Sequence, residues 1–406
     1  MNIWIVNPFD QIPREGNHEG RYWSLSREFV KKGHSVMWWT SSFDHLLKTQ
    51  RTPPQAGIYP FIVRLVPVPP YSKNVSLKRI VNHHLFAKRF FVIARQELEN
   101  KRVAVPDKIL LSIPPLDLPK YSFKIRKIFG TKIILDLQDA WPETFYRWIP
   151  GNQDFKKRIG RILFAGYKNK SKDAIAHADA ITAVANTYLD VYGADKYSVP
   201  KHIAHLGTRL EYQDKQGGPA DIPILPLTFA YVGSMSKNYD LETVIYAASI
   251  CRSRGANFRI KFAGSGPKSE HLIQIAEEEK LADIIRFYGF LPFAEVVSLL
   301  ANSHVALNPI LPESYIAVPN KIGDYLAANL PIINSIRGEL EAMLKENDAG
   351  EYYIARSASS LAEAMMGYIS NPQKATAQGK NARRLAESAF DQNRIYPEMV
   401  RFIEAL

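Results

Sequence analysis

The sequence predicts an α/β protein made of two doubly wound domains with parallel sheets. Three observations lead there. Short, β-rich apolar runs alternate with amphipathic helical stretches along the chain, the pattern left by consecutive βαβ units. At 406 residues the chain is too long for one ordinary core, a domain holding roughly 100–200 residues. The alternation also breaks at 213–226, a stretch rich in Gly, Pro and Asp, and then restarts, as at a linker between domains. The expected limits are 1–211 and 212–390, with a terminal helix over 391–406.

Composition narrows the class. Hydrophobic content of 46% and aromatic content of 11% suit a chain that folds around packed cores rather than a disordered one. The single cysteine, Cys251, excludes a disulfide framework and a cysteine-based metal site. The opening MNIWIVNPFD reads straight into a strand and lacks the basic and long apolar regions of a secretory signal. No run reaches the ~18 apolar residues of a membrane span. A net charge of +12 favours anionic partners: nucleic acid, a lipid surface or phosphorylated small molecules. Zinc-knuckle spacing, an RNP-type aromatic motif and a basic heptad are all missing, which argues against nucleic acid.

In the first half, Asn2 to Val6 is the opening strand, and the loop from Asn7 to Glu19 contains Pro8, Pro13 and Gly16. Gly20 and Arg21 start a helix with Tyr22, Leu25, Phe29 and Val30 as its buried stripe, ended by Lys32-Gly33-His34. Strand two is Ser35 to Thr40. The glycine-containing loop lies beyond the carboxyl end of strand one, where doubly wound sheets bind ligands, although Gly16 and Gly20 form no dinucleotide fingerprint. Ile62 to Val66 is a further strand. Ser76 to Asn100 is helical and mixes Phe90, Phe91 and aliphatics with Lys78, Arg79, Lys88, Arg89 and Arg95. Such a helix either lies on an anionic membrane or packs on the core with a solvated basic face. His83 and His84 are adjacent, so they point apart on a helix and do not form a metal pair. Lys108 to Ser112 and Lys132 to Leu137 are strands, the second ending at Gln138-Asp139-Ala140-Trp141-Pro142-Glu143. Asp139 there is either a general base or charge stabiliser, or the cap of the following turn. Phe155 to Ala174 repeats the basic and aromatic mixture, and short strands follow at Ala180 to Val184 and Lys201 to Leu206.

The second half opens on Thr228 to Val232, a strand broken by Gly233-Ser234. A loop carrying Lys237 follows. Asp240 occupies the N-cap position of a helix with Leu241, Val244, Ile245 and Ala248 on one stripe, ending at Gly255. Strand, glycine turn, cationic loop and helix together direct N–H groups and positive charge at one spot, which suits a phosphate. Arg259 to Ala263 runs into Gly264-Ser265-Gly266-Pro267, and Ile285 to Tyr288 into Gly289-Phe290-Leu291-Pro292. Val305 to Leu307, the loop to Pro319, a helix over Asn320 to Ala328, the strand Pro331 to Asn334 and a final helix over Phe390 to Leu406 complete the alternation.

Four ordered segments, VGSMSKNYDLETVI, FAGSGP, FYGFLPFAEVVSLLANSHVALNP and PNKIGDYLAANLPII, resemble the retaining glycosyltransferases of the GT-B fold, family 4. NHEGRYWSLSREFVKKGHSV, ILLSIPPL and LDLQDAWPE resemble its bacterial branch that builds surface polysaccharide on lipid-linked acceptors. The resemblance implies two facing Rossmann-like domains with a C-terminal helix crossing back to the first. It implies a nucleotide-sugar donor, UDP- or GDP-linked, on the second domain and an acceptor, a polyprenyl-diphosphate-linked saccharide, on the first. The donor residues it implies are Gly16, Gly233, Ser234, Lys237, Gly264, Gly266, Phe290, Leu291, Lys321 and Asp324, with Lys237 on the phosphate and Asp324 on the ribose. It assigns acceptor contacts to His18, Arg21, Trp141 and Glu143, and catalytic roles to Asp139 and Lys237. Neither a cofactor nor a metal is expected, because the D-x-D motif that holds a cation in metal-dependent relatives does not occur. Two departures stand out. Ser234 replaces the arginine that usually follows the first glycine, so Lys321, one helical turn before Asp324, would supply the charge. Ile316 stands where the family has the first of two glutamates, and Glu313 is off register. The location this implies is cytoplasmic, peripheral on the inner face of a bacterial membrane. A nucleotide-sugar 2-epimerase of the same fold and a non-catalytic membrane-associated partner are the alternatives.

Overall fold

The computed structural model describes residues 1–12, 19–55, 57–72, 76–215 and 226–406. They divide into two compact units, Met1–His205 with Arg394–Leu406, and Leu206–Asn393. The division falls at His205/Leu206, ahead of the Gly- and Pro-rich stretch that marks it in the sequence; most of that stretch lies outside the described residues.

Unit 1 carries a parallel sheet of β1 (Asn2–Val6), β2 (Ser35–Ser41), β3 (Ile62–Val66), β4 (Lys108–Ile113), β5 (Lys132–Leu137), β6 (Ala180–Ala183) and β7 (Lys201–Ile203), in the order β3-β2-β1-β4-β5-β6-β7. Its helices are α1 (Arg21–Lys31), α2 (Leu77–Glu99), α3 (Leu118–Phe129), α4 (Gln153–Leu163), α5 (Ala165–His177) and α6 (Asn186–Tyr192). The central strands are buried along nearly their whole length, as a sheet covered on both faces requires, and their aliphatic residues meet that need. The basic stretch 155–174 is two helices, α4 and α5, parted at Phe164. Helix α3 has no counterpart among the sequence-based elements.

The C-terminal helix, Gln392–Glu404, belongs to unit 1. Ile395, Tyr396, Met399, Val400 and Ile403 join Ile3, Ile5, Leu25, Phe29, Trp38 and Leu110 in one core. Two lysines finish the helix: Lys108 Nζ donates to the carbonyls of Ile403 and Glu404, and Lys132 Nζ to that of Leu406, groups that the helix itself leaves unpaired. The expected return of the chain to the first domain is thus present, fixed by apolar burial and by cations from the starts of β4 and β5.

Unit 2 follows the same plan. Strands β8 (Leu227–Val232), β9 (Phe258–Ala263), β10 (Ile285–Phe287), β11 (Val305–Asn308), β12 (Ile332–Asn334) and β13 (Gly350–Tyr352) run parallel in the order β10-β9-β8-β11-β12-β13. The helices are α7 (Leu210–Asp214), α8 (Leu241–Ser253), α9 (Ser269–Glu278), α10 (Phe293–Ala301), α11 (Lys321–Ala327), α12 (Glu339–Glu346), α13 (Ala358–Ile369) and α14 (Pro372–Ala389). Phe229, Tyr231, Val244, Ile260, Phe262, Leu307, Ile333 and Met365 lie in its core. The stretch from Ser335 to Ala389, unassigned from sequence, holds β13 and three helices. The sheet's order turns at β8, whose neighbours are β9 on one side and β11 on the other, the switch point at which such sheets bind ligands.

Candidate functional site

The loops leaving β8, β9, β10 and β11 assemble the carboxyl edge of the unit 2 sheet. Gly233 ends β8 at φ +145° and Gly264 ends β9 at φ +129°, conformations open to glycine. The two turns are stacked backbone on backbone: Gly233 N donates to Ala263 O at 2.9 Å, Met235 N to Ser265 O at 3.0 Å and Lys268 N to Met235 O at 3.0 Å. A Cβ on Gly264 would stand 1.9 Å from Gly233 O, and one on Gly266 2.4 Å from Met235 O. Both glycines of FAGSGP are therefore required by loop packing before any ligand is considered. Gly264 N also donates to Gly289 O at 2.6 Å, tying in the loop that carries Phe290, which is 78% exposed, and Leu291.

The loop that begins at Met235 is pinned again beyond Lys237. Asn238 O accepts from Leu311 N and from Ser314 Oγ, each at 3.0 Å. Asp240 occupies the N-cap of α8, yet its carboxylate accepts from the Thr243 hydroxyl Oγ1 at 2.7 Å and from Arg356 N at 2.6 Å rather than from the backbone N–H groups of the first turn. Lys237 itself is exposed and has no hydrogen-bond or ion-pair partner among the described residues. A held loop thus presents an unneutralised cation at the sheet's edge. Ser234 is also exposed, its carbonyl accepting from Tyr231 Oη at 2.7 Å.

Lys321 approaches from α11. Its Nζ is sealed from solvent, without a hydrogen-bond partner, and lies 3.7 Å from where a Cβ on Gly233 would be. The cation that sequence reasoning enlists for the missing arginine is therefore directly behind the glycine turn. Burial lowers its pKa to about 7. One turn on, Asp324 is half-buried and accepts from Thr208 Oγ1 at 2.5 Å; Thr208 carries no recognisable sequence signal for this role. Glu313 makes a two-oxygen contact with Arg356, at 2.9 and 3.0 Å, and so is committed elsewhere. Gly233, Ser234, Lys237, Gly264, Gly266, Phe290, Leu291, Lys321 and Asp324 all belong to this edge of unit 2 or to α11 behind it. Gly16 and His18 lie outside the described residues.

Unit 1 corrects one expectation. Arg21 is 4% exposed and is a structural residue: Nε and Nη2 grip the Asp136 carboxylate at 2.9 and 3.0 Å, while Nη1 donates to Ala204 O at 2.8 Å. Tyr22 Oη, Thr182 Oγ1 and Gln138 Nε2 each donate to the same carboxylate at 2.7 Å. A guanidinium so enclosed has no donor to offer an acceptor sugar, and a buried charge demands such a partner. Glu143 is half-taken too, receiving Lys168 Nζ at 2.5 Å.

Asp139 is tied into its own turn but does not cap the short helix after it, whose N-cap is Pro142. One oxygen accepts from Ala140 N at 2.8 Å and Thr144 Oγ1 at 3.3 Å, the other from Trp141 Nε1 at 3.2 Å. Burial outweighs these bonds and raises its pKa. The Trp141 ring, 3% exposed, lies 5.3 Å from His83 and 5.4 Å from the Arg79 guanidinium, which also covers Phe9 at 5.7 Å. Arg79 Nε donates to His83 Nε2 at 3.2 Å. Across Phe9, His45 bonds Tyr71. Burial, with Arg79 second, holds His45 at about 3 and His83 well below the usual range. This cation-and-aromatic cluster at the carboxyl edge of the unit 1 sheet was not found in the sequence. Its members, Phe9, His45, Tyr71, Arg79 with His83, and Trp141, come from five separate segments, and Arg79 reads as one more solvated base on α2.

Among the described residues no group of three or more His, Cys, Asp and Glu is placed to hold a metal ion, and no helix is long and apolar enough to cross a membrane. Residues 226–371, within unit 2, match the family model described as glycosyl transferases group 1. No curated protein is a significant sequence match. The chain is similar over its full length to solved structures. Sucrose-phosphate synthase from Thermosynechococcus elongatus shares 15% identity at a TM-score of 0.71, covering 100% of this chain and 98% of the other. HepE of Anabaena, solved in complex with UDP, shares 13% at 0.67 and covers 100% of both chains. WaaG, a glycosyltransferase involved in lipopolysaccharide biosynthesis, shares 14% at 0.63 and covers 99% of both. At these identities the likeness is one of fold, the GT-B fold of two Rossmann-like units.

Proposed function

We propose that this chain is a retaining glycosyltransferase that moves a sugar from a nucleotide-sugar donor bound on unit 2 to a saccharide acceptor. The observation that carries the reading is the glycine-lined edge at the β8/β11 switch, with Lys237 free in front of it and Lys321 behind it, inside the segment matching the glycosyl transferase family. As the glycosidic bond breaks, negative charge grows on the departing diphosphate, and fixed cations at that spot lower the barrier. Lys237 and Lys321 take that role, without a metal ion. Asp324, oriented by Thr208, accepts from the ribose hydroxyls. The acceptor hydroxyl attacks the face that the diphosphate leaves, and a diphosphate oxygen takes its proton. On unit 1, Asp139 supports the acceptor side by holding the turn and the Trp141 ring in place, which is a positioning role.

A lipid-linked acceptor fits the outer faces of α2 and α4. Phe155, Ile162 and Leu163 are 50%, 68% and 66% exposed beside Lys157, Arg158 and Arg161, and on α2 Leu77 and Val81 are 80% and 51% exposed beside Lys78. Exposed apolar side chains among bases suit the surface of an anionic bilayer, and this supports a peripheral enzyme of surface-polysaccharide synthesis. A second reading, a nucleotide-binding protein without transferase activity, is favoured by Ile316 at the missing glutamate and by the commitment of Glu313 to Arg356. Incubating the protein with UDP- and GDP-sugars, with and without lipid-linked saccharides, decides among these. Donor consumption that depends on acceptor supports transfer, consumption without acceptor supports an epimerase, and nucleotide binding without consumption supports the second reading.

A further inference from the structure

Lys321 is built into unit 2 in an unusual way. Its Nζ lies 4.1 Å from the ring centroid of Tyr231, 4.8 Å from that of Tyr239 and 5.8 Å from that of Tyr325. It has no hydrogen-bond acceptor and is sealed from water. Each element packed around it contributes a neutral group: Tyr231 from β8, Tyr239 from the loop before α8, and Tyr325 from its own helix, all held protonated by burial. The carboxylate one turn away, Asp324, accepts from Thr208; of the other cations at the edge, Lys237 is on the loop that carries Tyr239, and Lys268 in the β9 turn is paired with Glu242 at 2.5 Å. An ammonium in such a cage keeps only the attraction of the ring faces, which replaces poorly the water it has lost. The amine lies close behind the Gly233 turn, 3.7 Å from where a Cβ on that glycine would stand, with the Tyr231 hydroxyl 3.3 Å from the same point.

We propose that Lys321 takes up a proton as a diphosphate settles against the Gly233 turn, so that donor binding and protonation of this amine are one coupled event. The proposal rests on the donor-site reading above and adds to it the charge state of the site. Without a diphosphate the caged ammonium lacks a counter-charge and its pKa falls to about 7; with a diphosphate beside it the charged form is favoured again. The pKa is thus higher in the complex than in the free protein. Affinity is therefore level below about pH 7, and above it falls with rising pH, toward about tenfold per pH unit, because each binding event must then draw a proton from solvent.

Titration calorimetry with UDP-glucose and GDP-mannose, whose esterified diphosphates carry no proton near neutrality, measures this. Runs at pH 8 in buffers of different ionisation enthalpy should return an uptake of close to one proton per nucleotide sugar. The affinity should weaken at least fivefold between pH 7 and pH 8.5. Lys321→Met should remove both the uptake and the pH dependence and bind weakly throughout, while Lys321→Arg, whose charge is permanent, should remove the pH dependence alone. Thermal melts of both variants report whether they fold. Binding that is tight but independent of pH, without uptake, overturns the coupling and leaves the donor site standing. Uptake that persists in Lys321→Met assigns the proton to another group and overturns it equally. Failure of the wild-type protein to bind either nucleotide sugar at any pH overturns the donor-site reading together with the coupling.

Discussion

Lys237 and Arg21 are both basic residues near the carboxyl ends of strands, and the fold has treated them oppositely. Arg21 is enclosed with Asp136, and its charge is neutralised inside unit 1. Lys237 has no partner among the described residues, and the residues that follow it, Asn238 and Asp240, are tied down. Replacing Lys237 by Ala should therefore leave the melting temperature within about 2 °C, since exposed substitutions rarely move stability, while transfer falls by more than tenfold as a transition-state charge contact is lost. Turnover close to wild type would remove Lys237 from the phosphate. The histidines of unit 1 make a separate claim. His45 and His83 are kept neutral by burial and by Arg79, so their folded-state pKa values lie below the unfolded value near 6.5. That stability is present above pH 6.5 and is lost as pH falls toward the folded-state values, on the order of 1 kcal/mol for each by pH 5. Urea melts at pH 7 and pH 5 should show the loss, and His45→Gln with His83→Gln should reduce it. An identical pH dependence in the double variant contradicts the assignment.

At the scale of elements, the β8 and β9 turns behave as one object. The Gly264 backbone is at φ +129° and its Cβ position is filled by Gly233 O. Gly264→Ala must move both turns, costing about 1–3 kcal/mol in backbone strain alone, and should weaken nucleotide binding although residue 264 need never touch a ligand. A variant that melts and binds like the parent would show that the turns yield more easily than their contacts imply. Helix α2 divides differently from its sequence reading. Asn82, His83, Phe86, Phe90 and Leu98 face the core, Arg79 turns inward to Trp141, and Arg89 donates to Pro67 O. The bases left for a membrane are Lys78 and Lys88 with Lys157, Arg158 and Arg161 of α4. Changing these five to Glu should abolish sedimentation with anionic vesicles, each base contributing about 1 kcal/mol near such a surface, and should spare transfer to a soluble acceptor. Vesicle binding that survives the change argues for another attachment face.

At the scale of the molecule, the C-terminal helix makes unit 1 depend on the two ends of the chain. Five of its side chains lie in the unit 1 core, each stabilising by roughly 1.5–3 kcal/mol when buried. Their sum is comparable with the whole stability of a domain, about 5–15 kcal/mol. Ending the chain at Asn393 should accordingly abolish the cooperative melting of unit 1, followed by its tryptophans, while nucleotide binding by unit 2 persists. Cooperative melting in the shortened chain would mean that the helix only covers a core already complete.

Local patterning made the doubly wound class legible. The aliphatic strands β1, β4, β5 and β8 and the stripe of α8 follow from periodicities that each segment carries by itself. The glycine turns and the cationic loop of unit 2 could be read because a turn, a loop and a cap adjoin along the chain. Helices α3 and α12 to α14 are unassigned from sequence although their apolar faces are no less one-sided than that of α8, so a one-sided face did not by itself mark them in the chain. The fate of the charged residues was decided only by the tertiary structure. Arg21 is structural because Asp136, 115 residues away, is beneath it, and Arg79 joins a buried cluster because Phe9 and Trp141 converge on it. Lys321 is caged by Tyr231 and Tyr239 from distant segments, and Asp324 is oriented by Thr208. Hydrophobic periodicity is a property of neighbours in sequence, whereas desolvation and charge pairing depend on neighbours in space, so the fold could be inferred from the chain while the state of its site required the folded molecule.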